Sequence, residues 1–501
     1  MTESQSCKGG NAPVVGRGPG SDDAPRDPRP WMSAVTPTVG RLARVASRLL
    51  RHGGSAFPGM VAERIDPGFL PRTLGRLPYG VVLVSGTNGK TTTTRMVASM
   101  LSSLGLRVFT NPTGSNFTRG VASALLASVG VRGRLDADVA VLELDEAYAV
   151  RFVHEVRPRV TLLLNVLRDQ LDRFGEIDNT ARLLGRSAAA TTDAVVLNRE
   201  DPRIAALAAS VAPGVAVRYF GLDPSLRAAF PSDDDMHAAD LGGSAGTASR
   251  SVASADASGG PSTDAPVTRT GADAPDADVT LLAVGDHKAT FRMDGADVTT
   301  AVRLEGVYNL YNAAAGLAAV RAVQGIVRAD PSASPRARRA AAAGASELMS
   351  ALREVTPAFG RGESITVAGA PVELLLVKNP MGFRLSLSSF DHATHRTMIA
   401  ICDEYADGRD MSWLWDVDFI CLKTRGIDMV SGTRAWDMAL RLGYDQVPVR
   451  EVDTDLERAV AAFVRSSKGE PGHIYCTYTA MLRIRATLGR LASVPDAGVG
   501  R

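Results

Sequence analysis

The sequence predicts an α/β protein: a phosphate-loop domain built on a mostly parallel sheet, followed by a smaller α/β domain. Three observations predict it. Residues 81–94 read VVLVSGTNGKTTTT, a short apolar strand running through a glycine loop into a helix-compatible segment. Further apolar runs at 107–110, 138–144, 160–166 and 194–197 alternate with helical stretches, the pattern of parallel strands joined by crossovers. A second alternation begins after residue 350, with strands expected at 372–378, 398–402, 419–422 and 474–478 and a helix at 435–442.

The glycine loop carries the most chemistry. Gly86, Thr87, Asn88, Gly89, Lys90, Thr91 and Thr92 follow a buried strand and open a helix. Glycines there let backbone N–H groups face phosphate oxygens, and the helix N-terminus adds partial positive charge. Lys90 reaches the terminal phosphates, and the Thr91 hydroxyl suits Mg²⁺. Strict Walker spacing asks for glycine at position 84, where Val84 stands. The pattern is that of an ATP site.

Composition bounds the partners. Length alone suggests about three domains. Formal net charge is +2, which gives no electrostatic case for nucleic acid. Lysine occurs only at 8, 90, 288, 378, 423 and 468, so Lys90 is conspicuous within the loop. Cys7, Cys402, Cys421 and Cys476 are scattered without Cys-x-x-Cys spacing, which fits a reducing cytoplasm and neither a disulfide framework nor a structural zinc. No signal peptide or apolar run of membrane-spanning length is expected.

In chain order, residues 1–33 form a Gly/Pro/Asp-rich tail expected to be disordered. A helix at 38–53 carries Arg41, Arg44, Arg48 and Arg51 on one face, read as a solvated face or a surface for anionic lipid. The loop at 111–116 would lie near the phosphates of a doubly wound sheet. Glu143, Asp145 and Glu146 end an apolar strand, placed to hold Mg²⁺ opposite the glycine loop. The segment 165–178 is dense in Asp and Arg directly after a buried strand and reads as lining a site, and Asn198 and Asp201 end the next strand. Residues 223–278 are an Ala/Ser/Asp insert expected to be disordered. Small antiparallel strands come next at 279–284, 289–293 and 298–304, then an Ala-rich helix opened by Asn309. The domain division is thus 34–327 for the first domain, a Pro/Arg/Ala linker at 328–350, 351–492 for the second, and a tail at 493–501. In the second domain, loop 403–418 sets six carboxylates beside Trp413 and Trp415, which reads as a partner-facing surface.

GTNGKTT, VLELDEA, NVLRDQLDRFGEID, LNREDP and GVYNLYNAAA together resemble the central domain of the Mur ligases. NPTGSN, RDQLDRFGEID, KNPMG, ADGRDMSWLWDVDF and SGTRA narrow the resemblance to the MurT family, over residues 36–222 and 279–490. The resemblance implies ATP-dependent activation of the α-carboxyl of D-glutamate in the lipid II stem peptide. An acyl phosphate would be attacked by ammonia to give D-isoglutamine at the inner face of the membrane. It implies that Lys90 binds the β- and γ-phosphates, that Thr91 and Glu143 hold Mg²⁺, and that Asn309 meets adenine. Asn198 and Asp201 would lie in the nearby nucleotide motif, Arg361 would reach the phosphates, and Gln170 would stand where amino-acid-adding Mur ligases have a histidine. Asp410, in DGRDMSW, would orient the catalytic histidine of a GatD-like glutamine amidotransferase, the implied partner. The cysteine-free insert replaces the zinc-binding stretch of many relatives, so no zinc is expected, and no lysine lies between Lys90 and Lys288 to be carbamylated. Nor does any cysteine sit in the Gly-x-Cys-x-Gly elbow a glutaminase needs. Two other classes share the ATP site: an amino-acid-adding ligase of Mur or folylpolyglutamate type, and a non-catalytic nucleotide-binding scaffold.

Overall fold

The computed structural model describes residues 32, 35–38, 40, 57–111, 117–130, 133–167, 177–229, 275–285, 288–303, 307–355, 361–367, 369–388, 392–467 and 469–491. All of the expected tail but Met32, nearly all of the basic helix at 38–53, positions 112–116, residues 168–176 with Gln170, and positions 230–274 lie outside them. The start of the insert expected to be disordered is instead ordered, with Asp223 N–H donating to the Leu281 carbonyl at 2.8 Å and a 3₁₀ turn at Pro224–Ala229.

The first sheet has nine strands in the order β2-β3-β1-β4-β5-β6-β7-β8-β9. These are β1 (Val81–Ser85), β2 (Val108–Thr110), β3 (Val139–Glu143), β4 (Val160–Leu163), β5 (Ala194–Asn198), β6 (Ala216–Leu222), β7 (Val279–Gly285), β8 (Lys288–Met293) and β9 (Ala296–Ala301). Pairing is parallel from β2 to β7, and antiparallel in β7-β8-β9. Strand β1 lies between β3 and β4, so strand order reverses beside it, the place where α/β sheets bind ligands at their carboxyl ends.

Period-two alternation divides β1 between two cores. Val82 and Val84 face one layer, with α3 (Lys90–Ser103) and the long α8 (Val307–Ala329). Val81 and Leu83 face the other, packed on α1 (Phe57–Ile65), α2 (Phe69–Leu74), α4 (Thr118–Ser128) and α5 (Glu146–Glu155). A smaller cluster sits under α6 (Ile177–Ala189) and α7 (Pro202–Ala206). Each fully buried Leu or Phe in these layers contributes about 1.5–3 kcal/mol. Within α8, Tyr308–Ala329 is long and apolar enough to span a membrane by length and composition, which corrects the expectation that no run reaches that length. Its alanines from Ala313 to Ala322 are buried against the sheet and α3.

The stretch 328–350, expected as a linker, belongs instead to the first domain. Ser334 caps α9 (Pro335–Ala342) by accepting from the Ala337 N–H at 3.2 Å, with Pro335 in the first turn where a missing N–H costs nothing. Gln324 of α8 donates to the Ala340 and Ala343 carbonyls at 2.8 and 3.0 Å. Ala337, Ala340 and Ala341, with Leu348 and Leu352 of α10 (Ala345–Arg353), complete the core. Pro, Arg and Ala read as linker by composition, yet alanine and arginine are strong helix formers.

The second sheet runs β10-β11-β15-β12-β13-β14: β10 (Arg361–Val367), β11 (Ala370–Leu376), β12 (Arg396–Ala400), β13 (Met429–Ser431), β14 (Val452–Asp453) and β15 (Gly472–Cys476). Only the β10–β11 pair is antiparallel. One face packs on α13 (Leu456–Arg465) and α14 (Tyr478–Leu491), the other on α11 (Pro380–Ser388) and α12 (Ala435–Tyr444). The strand expected at 419–422 is a 3₁₀ turn, Ile420–Leu422: Phe419 and Leu422 are buried while Ile420 and Cys421 are exposed, a spacing of three and not two.

Candidate functional site

Gly86 and Gly89 adopt φ of 132° and 84°, open to glycine at little cost. Both also admit a close neighbour: a Cβ on Gly86 would stand 3.0 Å from the Asn165 backbone, and one on Gly89 would lie 2.6 Å from Asn312 Oδ1. Asn165, just past β4, clasps the loop. Its carbonyl accepts from Thr87 N at 3.0 Å, its Oδ1 from Asn88 N at 2.8 Å, and its Nδ2 donates to the Asn88 carbonyl at 3.1 Å. Thr87 Oγ1 accepts from Leu167 N at 3.1 Å, closing the same clasp.

Lys90 is buried, and a buried ammonium requires partners. Its Nζ donates to the Gly86 carbonyl at 2.6 Å and the Thr87 carbonyl at 3.3 Å, and pairs with Asp145 at 3.0 Å and Glu146 at 3.7 Å. Thr91 Oγ1 donates to Glu143 Oε1 at 2.7 Å. Asn111 fixes that carboxylate's backbone in both directions, donating to the Glu143 carbonyl at 3.0 Å and accepting from its N–H at 2.9 Å. A hydroxyl and a carboxylate in contact are hard oxygen donors of the kind Mg²⁺ takes from a protein, with phosphate and water supplying the rest. Thr92 is buried in the first turn of α3.

Asn198 and Asp201 tie the strand ends together. Asn198 Nδ2 donates to the Leu164 carbonyl at 2.8 Å, and its Oδ1 accepts from Glu200 N and from the Tyr311 hydroxyl. Asp201 caps α7, accepting from Arg203 N and Ile204 N at 3.0 and 3.1 Å, and its second oxygen accepts from Val166 N at 2.8 Å. Burial pushes this carboxyl up against the pull of those three donors. Asn309 is half-buried in the first turn of α8, three residues before Asn312 and so on the same face as the residue over Gly89. Arg361 begins β10 at the edge of the second sheet, and its side chain is outside the described set.

The second domain reaches the loop through the end of β11. Lys378 Nζ donates to the Thr87 carbonyl at 3.0 Å. Asn379 Nδ2 donates to Asn88 Oδ1 at 3.1 Å, and Asn88 Nδ2 returns to Asn379 Oδ1 at 3.3 Å. Leu167, Met381 and Leu385, with Tyr308 beside them, form a small apolar cluster between the domains. Asp410 is exposed on the far loop, where the Ser412 side chain and N–H hold its carboxyl below the usual carboxylate range. Trp413 of the same loop is buried against Phe383, whereas Trp415 stacks edge-on with Tyr444 at 5.0 Å on the surface. Asp407, one of the six carboxylates, is a buried strut accepting from Thr479 N at 2.7 Å.

The structure brings Lys90, Thr91 and Glu143 together at the glycine loop and places Asp410 on an exposed loop of the second domain. Sequence reasoning placed Asn111 and Asn165 only as the first residues of segments expected near the phosphates, 111–116 and 165–178, and it missed Asn312, Lys378 and Asn379 as residues that meet the loop. The signal for Lys378 was present: it is one of six lysines and ends the apolar run VELLLV. Cys402 and Cys476 are buried, and burial pushes both thiols up; Cys421, expected in a strand, is exposed on the 3₁₀ turn.

Two family models match the chain: the Mur ligase middle domain over residues 84–249 and the MurT ligase C-terminal domain over 376–481. Among curated proteins, the chain is similar to the MurT subunit of the glutamine-hydrolyzing lipid II isoglutaminyl synthase of Streptococcus pneumoniae. The two are 28% identical over 459 residues, covering 89% of this chain and 94% of that one. The Staphylococcus aureus protein of the same name is 27% identical over 453 residues, covering 84% and 90%. Among solved structures, MurF from Acinetobacter baumannii superposes with a TM-score of 0.58 at 15% identity, covering 87% of this chain and 79% of that one, a likeness of fold.

Proposed function

This chain belongs to the MurT family, pairing a Mur ligase middle domain with a MurT ligase C-terminal domain, and on that premise we propose that it is the synthetase subunit of a lipid II isoglutaminyl synthase. It is a carbon–nitrogen ligase that amidates the α-carboxyl of D-glutamate in the lipid II stem peptide, acting at the inner face of the membrane with ATP and Mg²⁺. The observation that carries the reading is the phosphate loop with its Thr91–Glu143 pair, closed over by the MurT-type domain through Lys378 and Asn379.

In the first step an oxygen of the α-carboxylate attacks the γ-phosphorus of ATP. The bond to the β,γ-bridging oxygen breaks, and ADP leaves with that electron pair. In the second, the nitrogen lone pair of ammonia attacks the acyl carbon, the C–O bond to phosphate breaks, inorganic phosphate leaves and a proton is lost to solvent. Lys90 spreads positive charge over the phosphates, Gly86, Thr87, Asn88, Gly89 and Thr92 shape the backbone cradle, and Arg361 is assigned to the same charge. Thr91 and Glu143 would hold Mg²⁺, which neutralises phosphate charge when bound. Asn309 is assigned to adenine, with Asn198 and Asp201 fixing the floor beside it.

Ammonia is assigned to a glutaminase partner, because no cysteine of the sequence sits in a Gly-x-Cys-x-Gly elbow and the thiols of Cys402, Cys421 and Cys476 are all pushed up by desolvation. The partner's face is assigned to the Asp410 loop and α12. There Trp436, Leu440 and Tyr444 recur every four residues and are exposed, with Trp436 67% and Tyr444 70% accessible beside Trp415. Aromatic anchors in a rim of carboxylates suit a partner with an apolar patch ringed by basic residues.

The test gives this chain Mg-ATP, lipid II and a high concentration of ammonium, and tracks ADP release and the mass of the lipid. Stoichiometric ADP and a product carrying amine in place of hydroxyl are expected. ADP formation only when an amino acid is added would transfer the chain to the amino-acid-adding ligases.

A further inference from the structure

We propose that Lys378 is a second phosphate-binding cation of the nucleotide site, carried in by the second domain, positioned by Asn379, and directed at the terminal phosphate of ATP. The inference rests on the ATP reading above and names a residue and a trigger that reading does not contain.

The geometry is a convergence on one atom. The Thr87 carbonyl accepts from Lys90 Nζ at 3.3 Å and from Lys378 Nζ at 3.0 Å, so two ammonium groups from different domains meet at a single oxygen of the phosphate loop. Like charges held this close repel, more strongly where water is partly excluded. Lys90 is offset by Asp145 and Glu146 on its own domain. Lys378 is half-buried at the domain junction and reaches the same carbonyl from the second domain. Two cations flanking the mouth of a glycine loop are complementary to a polyanion with oxygens on both sides. The γ-phosphate of ATP has such oxygens, and ADP lacks that group.

The next residues of the chain aim Lys378. Asn379 caps α11, its Oδ1 accepting from Gly382 N at 2.8 Å, which fixes its side chain against the helix start. The same side chain makes the reciprocal amide pair with Asn88. Pro380 removes backbone freedom at the next position. The lysine thus sits one residue before a rigid contact between the phosphate loop and the second domain, and Met381 and Leu385 dock that helix on Leu167 and Tyr308. Lys90 stays at the loop whether the domains are together or apart. Lys378 is present only when they close, so the second cation arrives with closure. Asn379 is a positioning residue.

The experiment measures affinities and melting shifts of the full chain for Mg-ADP and for the Mg complex of the non-hydrolysable imido analogue of ATP. For the wild type, the analogue should bind more tightly and raise Tm more than ADP. Lys378→Gln should weaken the analogue roughly tenfold or more, the worth of one charge-assisted contact, and leave ADP within about twofold. Lys378→Arg should restore most of the difference, and Asn379→Ala should weaken the analogue selectively by a smaller factor. In the amidation assay, Lys378→Gln should lower kcat more than it raises KM for ATP. Retained ADP affinity certifies that each variant is folded, and Lys378→Met serves if the glutamine variant is not. Equal weakening of both nucleotides, or of neither, overturns the proposal. A wild-type chain that binds neither nucleotide overturns the ATP reading itself, and this inference with it.

Discussion

Asp410 offers its carboxylate to solvent, whereas a carboxylate that orients a catalytic imidazole is ordinarily enclosed. The Ser412 hydrogen bonds fix its direction and keep it anionic well below neutral pH. Enclosure would come from the partner. Asp410→Ala should therefore spare amidation driven by free ammonium and remove amidation driven by glutamine in the complex. Parallel assays with the two nitrogen sources decide it, and equal loss in both would end the assigned role. Lys90, Thr91 and Glu143 were legible because their chemistry is encoded over a few consecutive residues or at one strand end. Asn312 and Asn379 were not, and Asn165 was legible only as the start of a segment expected to line the site. Each meets the glycine loop from a distant part of the chain, and an asparagine after a strand or in a helix carries no local mark of what it will touch.

Elements differed in the same way. Parallel strands around β1 could be read from apolar runs, because both faces are buried and the pattern is continuous. Short β13 and β14 gave too few residues for a period, and α9 hid behind a composition that resembles a linker. Strand β15 carries an unadvertised burden in His473, stacked on His395 at 4.4 Å between ring centres, with His392, Tyr475 and Glu373 also around it. Burial first, and the two histidines second, pull its pKa down to about 3. Between that value and the ordinary 6.5, the unfolded chain binds a proton that the folded chain refuses, so stability falls as pH falls. Linkage puts the loss near 2 kcal/mol by about pH 5 for this one group. His473→Phe should flatten the acid limb, so that urea midpoints at pH 7.5 and 5 lie closer together than in the wild type. An unchanged gap would show that another group sets the limb.

The molecule as a whole is two well-filled domains joined by a thin apolar contact. The sheet layers of each domain bury dozens of large side chains, whereas the junction buries Leu167, Met381 and Leu385. The Asn88–Asn379 pair and the Lys378 contact add hydrogen bonds worth about 1 kcal/mol each, so relative domain motion is cheap. Scanning calorimetry should resolve two transitions, with Mg-ATP raising chiefly the one that belongs to the first domain. A single calorimetrically two-state transition would contradict a junction this small.

Asn312 lying over Gly89 has a further consequence, for the order in which the chain is made. The glycine loop leaves the ribosome early, but the asparagine that fills the space above it, and the helix that backs β1, emerge much later. At roughly 5–20 residues per second, tens of seconds separate the two. During that interval the nascent loop has the Asn165 clasp but neither the asparagine above it nor the helix that backs β1. It should acquire nucleotide affinity only after α8 has emerged, which leaves the apolar face of the half-built sheet exposed to chaperones for the whole of that time.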